Sequence, residues 1–233
     1  MTTGTTLSDQ DVTRLQQRLN YRFVRRELLA LALTHRSVGA QNNERLEFIG
    51  DAILNCTIAQ ALYQQFPKAN EGELSRFRAA LVKGDTLAEL AREFDLGPFL
   101  QLGTGEMRSG GHRRSSILAD TVEALIGAIS LDADMPTAQA RVMAWWQPRL
   151  AALDPDLVLK DPKTRLQEYL QSQNEPLPQY EVSAITGQAH NQQFTVQCTT
   201  SMLPEPTTAT DSSRRGAEQA AARHALQRLG QKV

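Results

Sequence analysis

Hydrophobic residues recur at helical spacing from the start of the chain to about residue 153. Leu87–Phe94, Glu27–Leu33 and Leu118–Ile129 each place apolar side chains at the i, i+3, i+4 positions of an amphipathic helix. Glycines such as Gly39 and Gly84 separate these segments and indicate the connections between helices. Strand-like alternation does not stand out in this region. The pattern therefore predicts an all-α domain.

The pattern changes after residue 153. The stretch LDPDLVLKDPKT contains two Asp-Pro steps, which disfavour continuation of a helix and indicate a linker. Beyond it, RLQEYLQSQ is typical of a helix, QYEVSAITG and QQFTVQCTT of two strands, and SRRGAEQAAARHALQRL of a closing helix. Helix, strands and helix within such a short segment predict a small α+β domain.

Composition restricts the functional classes only modestly. The 233 residues carry a formal net charge of −1, so any nucleic-acid site must depend on a local patch. Cys56 and Cys198 are isolated, which fits a reducing compartment without a disulfide framework. The N-terminus does not resemble a secretory signal, and apolar runs stay shorter than a bilayer requires. We expect a cytoplasmic protein without a membrane partner.

Acidic residues occupy one face of the predicted helix in NNERLEFIGDAIL. Glu44, Glu47 and Asp51 lie at i, i+3 and i+7, within roughly 60° of one another on a helix, and the apolar residues face the other way. A solvated surface is the ordinary explanation for such a stripe, so these three acids alone do not predict a site.

A second acidic stripe changes that interpretation. In ILADTVEALIGAI, Asp120 and Glu123 share a helix face with Gly127, whose missing side chain is interpreted as room for something to approach. If both helices pack in one core, the carboxylates converge and repel one another unless a cation lies between them. Ligands that are all oxygen favour Mg²⁺ or Mn²⁺, the ions typical of phosphodiester hydrolysis.

Several motifs together identify a family. NERLEFIGDAIL, LTHRS, EGELSRFRAALV, LGTGEMRSGG and ILADTVEALIGAI resemble the motifs of the ribonuclease III family in their order and spacing, and the C-terminal part resembles a double-stranded-RNA-binding domain. The resemblance implies an all-α endonuclease and dimerisation domain at 7–150, a linker at 151–160 and an α-β-β-β-α RNA-binding domain at 161–230.

The activity that this resemblance implies is the cleavage of duplex RNA. A member of the family is a homodimer that uses Mg²⁺, with Mn²⁺ able to substitute, and leaves 5′-phosphate and 3′-hydroxyl ends with two-nucleotide 3′ overhangs. For a bacterial member, the expected substrates are the ribosomal RNA precursor and some mRNAs or tRNAs.

The resemblance also assigns roles residue by residue. It implies that the metal is bound by Glu47, Asp51, Asp120 and Glu123, of which Asp51 and Glu123 are catalytic, that Glu44 and Glu71 are accessory acids, and that Phe48 lies at the dimer contact. The RNA-binding residues expected in the second domain are Thr164, Gln167, Glu168, His190, Ser213, Arg214 and Arg215. His35 is interpreted as a buried hydrogen-bonding residue rather than a ligand, and His112 and His224 as surface residues.

The second domain departs from the family pattern at three places. Its loop reads Gly187-Gln188-Ala189-His190 where the family often has Gly-Pro-x-His, Asp211 stands near a position that is often glycine, and Gly216 should weaken the last helix by up to ~1 kcal/mol relative to alanine. Residues 160–233 contain eight Lys and Arg against seven Asp and Glu. This small excess predicts weaker RNA binding than is usual in the family, with fewer phosphate contacts.

Two other functions compete with the endonuclease. A non-cleaving regulator that binds double-stranded RNA would need only dimerisation from the first domain, but all six family acids are retained. An unrelated helical hydrolase acting on small phosphates would leave the C-terminal domain unexplained and lacks the usual His-Asp pairs.

Overall fold

The computed structural model describes residues 8–155, 158, 160–188 and 192–231. The chain divides into two compact units at the boundary between Leu153 and Asp154. Each unit is described separately below. Within the described ranges, every helix is too short or too polar to cross a membrane.

The first unit is helical, as its periodicity predicts. Its helices are α1 (Asp9–Leu19), α2 (Arg26–Ala32), α3 (Glu44–Gln65), α4 (Glu71–Val82), α5 (Gly84–Glu93), α6 (Thr104–Arg108), α7 (Ser115–Asp132) and α8 (Met135–Ala151). Two short 3₁₀ helices, Gly97–Phe99 and Gly111–Arg113, lie in the connections.

Helix α7 is the centre of this unit. It packs against α2, α3, α5 and α8, and Val122, Leu125 and Ile129 on its inner face are completely buried. Burial of each such side chain stabilises the fold by about 1.5–3 kcal/mol. Trp146 of α8 is also buried, and its indole N–H donates to the Leu81 carbonyl oxygen at 2.9 Å. Helices α3 and α7 are therefore held firmly at the middle of the core.

The second unit has the predicted α-β-β-β-α order. Its elements are α9 (Pro162–Ser172), β1 (Gln179–Thr186), β2 (Gln193–Thr199), β3 (Thr207–Asp211) and α10 (Arg214–Arg228). The strands form an antiparallel sheet in the order β1-β2-β3. Helix α10 buries Ala217, Ala221 and Ala225, whose small side chains let it approach the sheet closely, and α9 adds Leu166 and Leu170 to the same core.

Candidate metal centre and nucleic-acid interface

Two glycines bring the backbones of α3 and α7 into direct contact. A Cβ atom on Gly50 would lie well under 3.0 Å from the main chain of Glu123, and one on Gly127 would meet the main chain of Leu46 in the same way. The interpretation of Gly127 as an opening for a ligand is therefore wrong, because the backbone of α3 fills that space. This close packing sets the acidic stripe of α3 beside that of α7.

The two stripes meet in a cleft of about 840 Å³. Glu47 of α3 and Asp120 and Glu123 of α7 each offer a carboxylate oxygen, and these oxygens lie within 4.8 Å of one another. All three side chains are half-buried. The convergence expected from the sequence is thus present for these three acids, which we call the carboxylate cluster.

The carboxylate cluster is electrostatically strained. Burial raises the pKa of Glu123 to about 8, with further contributions from the charges of Asp51, Glu47 and Asp120. Burial likewise raises the pKa of Glu47, and Asp120 adds to that shift. The pKa of Asp120 is also raised by burial, although His35 and Arg36 partly offset the shift. A hard divalent cation would relieve this repulsion, and the oxygen-only ligand set fits Mg²⁺ or Mn²⁺.

The other predicted acids of this unit have different surroundings. Asp51 lines the cleft but lies outside the three-residue cluster, and its Oδ1 accepts a hydrogen bond from Asn55 Nδ2 at 2.7 Å. Glu44 also lines the cleft and pairs with Arg36 at 3.5 Å. Glu71 does not line it, and its carboxylate accepts from the Ser75 hydroxyl at 2.8 Å.

Basic side chains at the cleft edge were not identified from the sequence as site residues. His35 was expected to be buried, but it is partly exposed, lines the cleft, and its Nδ1 lies 2.8 Å from the Ser37 hydroxyl. Arg114, directly before α7, pairs with Glu106 of α6 at 2.7 Å, and both residues line the cleft. His35 and Glu106 belong to the motifs LTHRS and LGTGEMRSGG, and Arg114 follows the second motif, but the sequence did not show which residues contact one another in the fold.

Phe48 lies beside the acids on α3. Its side chain is 78% exposed, although the residue also lines the cleft. A large apolar side chain in this position is unusual for a solvated surface, because burial of such a ring is favourable wherever a partner is available.

A groove of about 740 Å³ crosses the second unit between α9 and α10. Four of the predicted RNA-binding residues line it: Thr164, Gln167, Arg214 and Arg215. Ser213 is the N-cap of α10, and its hydroxyl accepts from the Gly216 N–H at 3.0 Å. Glu168 does not line the groove and instead pairs with Lys160 at 2.7 Å. His190 lies outside the described residues.

Asp211 organises the start of α10. Its carboxylate accepts from the Ser213 N–H at 2.9 Å and from the Ser213 hydroxyl at 3.2 Å, and the backbone bond lowers its pKa. A Cβ atom on Gly216 would lie well under 3.0 Å from this carboxylate. Gly216 is therefore more than a weak helix former, because its missing side chain makes room for Asp211.

Comparison with known proteins identifies the class of both units. Residues 25–150 match the family model described as Ribonuclease-III-like, and residues 162–229 match the double-stranded RNA binding motif. The chain belongs to the ribonuclease-III-like family. It is a ribonuclease that carries a double-stranded-RNA-binding domain.

Solved structures of one relative agree with this assignment. The nuclease domain of ribonuclease III from Campylobacter jejuni is 40% identical over 59% of this chain and 96% of that chain, with a TM-score of 0.58. A second structure of the same domain is 39% identical over 62% of this chain and 99% of that chain, with a TM-score of 0.59. The similarity covers the unit that contains the carboxylate cluster.

Proposed function

We propose that this protein cleaves double-stranded RNA endonucleolytically with Mg²⁺, Mn²⁺ being able to substitute. The products are 5′-phosphate and 3′-hydroxyl ends with short 3′ overhangs. The observation that supports this function is the carboxylate cluster, since three half-buried acids converge in one cleft of a ribonuclease, where burial and the charges of neighbouring acids raise the pKa of Glu123. A bound cation would offset the repulsion and allow all three acids to ionise near neutral pH.

The residues of the cleft divide the chemical work. Glu47, Asp120 and Glu123 would hold the cation, and Asp51, which lines the same cleft, completes the four metal-binding acids of the proposal. When bound, the ion would supply positive charge beside the reacting phosphodiester and would lower the pKa of an attacking water. Asn55 restrains the Asp51 carboxylate by donating to it, which keeps that group directed for proton transfer together with Glu123. Glu44 and Glu71 remain accessory acids in this proposal.

The second unit holds the duplex. Side chains cannot read the deep major groove of A-form RNA, so recognition uses phosphates and 2′-hydroxyls. Thr164 and Gln167 in the groove offer hydroxyl and amide partners for 2′-hydroxyls. Ser213, Arg214 and Arg215 stand at the N-terminus of α10, where free N–H groups and cations favour phosphate. Glu168 and His190 stay predicted RNA contacts.

Cleavage of both strands in one encounter needs two copies of the cleft, so the proposed active form is a homodimer. Phe48 supports this arrangement, because its exposed ring borders the acids on α3 and is available for a second copy. One of the Campylobacter jejuni structures is described as having a region involved in dimer formation of its nuclease domain. The cytoplasm stays the predicted compartment, and the ribosomal RNA precursor, with some mRNAs or tRNAs, stays the predicted substrate.

A cleavage assay on a long perfect RNA duplex tests the proposal. We expect the native chain to produce short duplexes with Mg²⁺ and none with EDTA. Glu123→Gln should lower the cleavage rate by at least about a hundredfold, because it removes a charged ligand from the cluster. Glu89→Gln, an exposed acid on α5, is the matched control and should cleave normally.

The same assay distinguishes the rival function. Duplex binding without cleavage by the native chain, in both Mg²⁺ and Mn²⁺, would show that the endonuclease proposal is wrong. The non-cleaving regulator would then be the better description. The proposed role of Glu123 in holding the cation would be wrong if Glu123→Gln cleaved as fast as Glu89→Gln.

A further inference from the structure

Glu218 of α10 holds two of the cations in the groove. Its Oε2 accepts from Lys163 Nζ at 2.6 Å, and its Oε1 accepts from Arg214 Nε at 2.9 Å. The Glu218 side chain is only 13% exposed. These contacts, with the hydrogen bond from Lys163 as the largest cause, lower the pKa of Glu218, so the group is anionic near neutral pH. Both carboxylate oxygens are therefore occupied by cations.

Lys163 is held from a second side as well. Its ammonium nitrogen lies 4.4 Å from the centre of the Tyr180 ring, a cation–π contact. Its side chain is 33% exposed, whereas that of Arg214 is 65% exposed. A phosphate that bound Lys163 would have to replace a charge-assisted hydrogen bond in a partly desolvated place.

The remaining charges of the groove are few. Its lining has three cations, Lys163, Arg214 and Arg215, against two acids, Asp161 and Glu218. Asp161 is engaged as the N-cap of α9, where it accepts from the Thr164 N–H at 2.9 Å. Arg215 has no ion-pair partner among the residues that the structure describes. One of the three groove cations is thus available for phosphate without breaking an internal ion pair.

We infer that Glu218 acts as an internal competitor of RNA phosphate, which keeps Lys163 and Arg214 engaged and so limits the affinity for duplex RNA. This inference rests on the proposed function, since it requires that the groove binds duplex RNA. A carboxylate and a phosphate accept the same charge-assisted hydrogen bonds from Lys and Arg. Glu218 controls affinity in this scheme, because it sets how many phosphates the groove neutralises.

The test measures binding of an RNA duplex to the full chain in EDTA, so that cleavage does not interfere, at several salt concentrations. Glu218→Gln preserves shape and removes the charge. Each released cation adds roughly 0.9 to the slope of log affinity against log salt concentration. Two released cations therefore predict a slope steeper by about 1.8. The ratio of the affinity of Glu218→Gln to that of the native chain should then be about tenfold larger at 50 mM than at 200 mM salt. Glu205→Gln, an exposed acid that does not line the groove, controls for net charge.

A double-mutant cycle shows whether the cations are the cause. Arg214→Ala should weaken binding little in the native background and about three- to tenfold in the Glu218→Gln background, because only there is Arg214 free to bind phosphate. Thermal unfolding of each variant confirms that the domain is folded, and Glu218→Ala repeats the test without a hydrogen-bonding amide.

Three results would overturn the inference. The first is an unchanged salt slope in both Glu218 variants. The second is weaker binding by both folded variants, which would mean that Glu218 positions the cations for RNA. The third is an equal effect of Arg214→Ala in the two backgrounds. Failure of the native chain to bind any duplex at low salt is a separate outcome, since it would contradict the proposed RNA-binding function itself.

Discussion

In the first unit, three carboxylates lie within 4.8 Å of one another and burial raises the pKa of each. In the second unit, the anion Glu218 lies between two cations, and both of its oxygens are paired. The carboxylate cluster therefore concentrates charge of one sign, whereas the groove distributes charges of both signs. Both regions are rich in ionisable side chains, but only the cleft is left with strong repulsion.

This difference separates two kinds of ligand site. Buried charges of one sign raise the free energy of the fold, so their persistence indicates that a ligand of opposite charge offsets the cost. Paired charges indicate a surface that is stable alone and binds its ligand by exchange of partners. We therefore expect the stability of the cleft to depend on its cation. We expect the groove to bind RNA with moderate affinity, and this affinity to change strongly when its ion pairs are altered.

The largest effect on stability and cleavage is expected from substitution of Gly50 or Gly127, the glycines that let α3 and α7 come into contact. Gly127→Ala or Gly50→Ala would drive a methyl group into the main chain of the facing helix, because both positions are in backbone contact. We expect the free energy of unfolding of the first unit to fall by about 3 kcal/mol or more, with loss of cleavage. Urea unfolding and the duplex assay measure the two effects.

Gly84→Ala is the matched control for both glycine variants. A Cβ atom at this position meets nothing within 4 Å, and the residue begins α5. Its stability should stay within about 1 kcal/mol of the native chain. Native-like stability in Gly127→Ala would contradict the conclusion that backbone contact between α3 and α7 fixes the carboxylate cluster.

The metal-free cleft should make stability depend on pH. The folded pKa of Glu123 is about 8 against an ordinary value of 4.5, so between these values the folded chain retains a proton that the unfolded chain releases. Rising pH therefore destabilises the metal-free protein across this window, with no penalty below it and the full penalty above it. Thermal unfolding in EDTA from pH 4.5 to 8.5 measures the effect.

Glu123→Gln provides the comparison for that pH series. Because the amide does not ionise, its melting temperature at pH 8.5 should exceed that of the native chain by about 2–4 °C, which corresponds to ~1 kcal/mol after solvent screening. Mg²⁺ should raise the melting temperature of the native chain more than that of the variant. Parallel pH profiles for the native chain, Glu123→Gln and the control Glu89→Gln would contradict the proposed repulsion.

In the first unit, sequence periodicity was sufficient for helices α2, α3, α5 and α7 and for the two acidic stripes, because helix geometry relates residues that are close along the chain. It could not show what faces each stripe. Gly127 was correctly placed on the acidic face, yet the group that approaches it is the backbone of α3. Asp51 similarly shares the α3 stripe but lies outside the carboxylate cluster, and its carboxylate accepts a hydrogen bond from Asn55 of the same helix.

The second unit shows the same limit for pairs distant in sequence. Strand β3 lies in a Pro/Thr-rich stretch whose inward residues, Thr207 and Ala209, are too small to give a clear hydrophobic alternation. The family resemblance, rather than the pattern, supplied three strands. The contact of Lys163 with Glu218 joins two helices, and periodicity carries no information about such a contact.

The smallest effect on stability is expected at the start of α10, where Arg214 and Arg215 of the groove lie. From helix propensity alone, Gly216→Ala should stabilise the helix by up to ~1 kcal/mol. In the native chain, however, the added methyl group would displace the Asp211 carboxylate from Ser213, so we expect no gain or a small loss. In an Asp211→Ala background that obstacle is absent, and the same substitution should be stabilising.

The sign change between the two backgrounds is the quantity to measure, because a general effect of alanine on the helix would be the same in both. Thermal unfolding of the native chain, the two single variants and the double variant gives it directly. A stabilising effect of equal size in both backgrounds would show that Gly216 is only a weak helix former. A reversal would show that Asp211 and Gly216 act as a unit, because the missing side chain of Gly216 makes room for the Asp211 carboxylate at the start of α10.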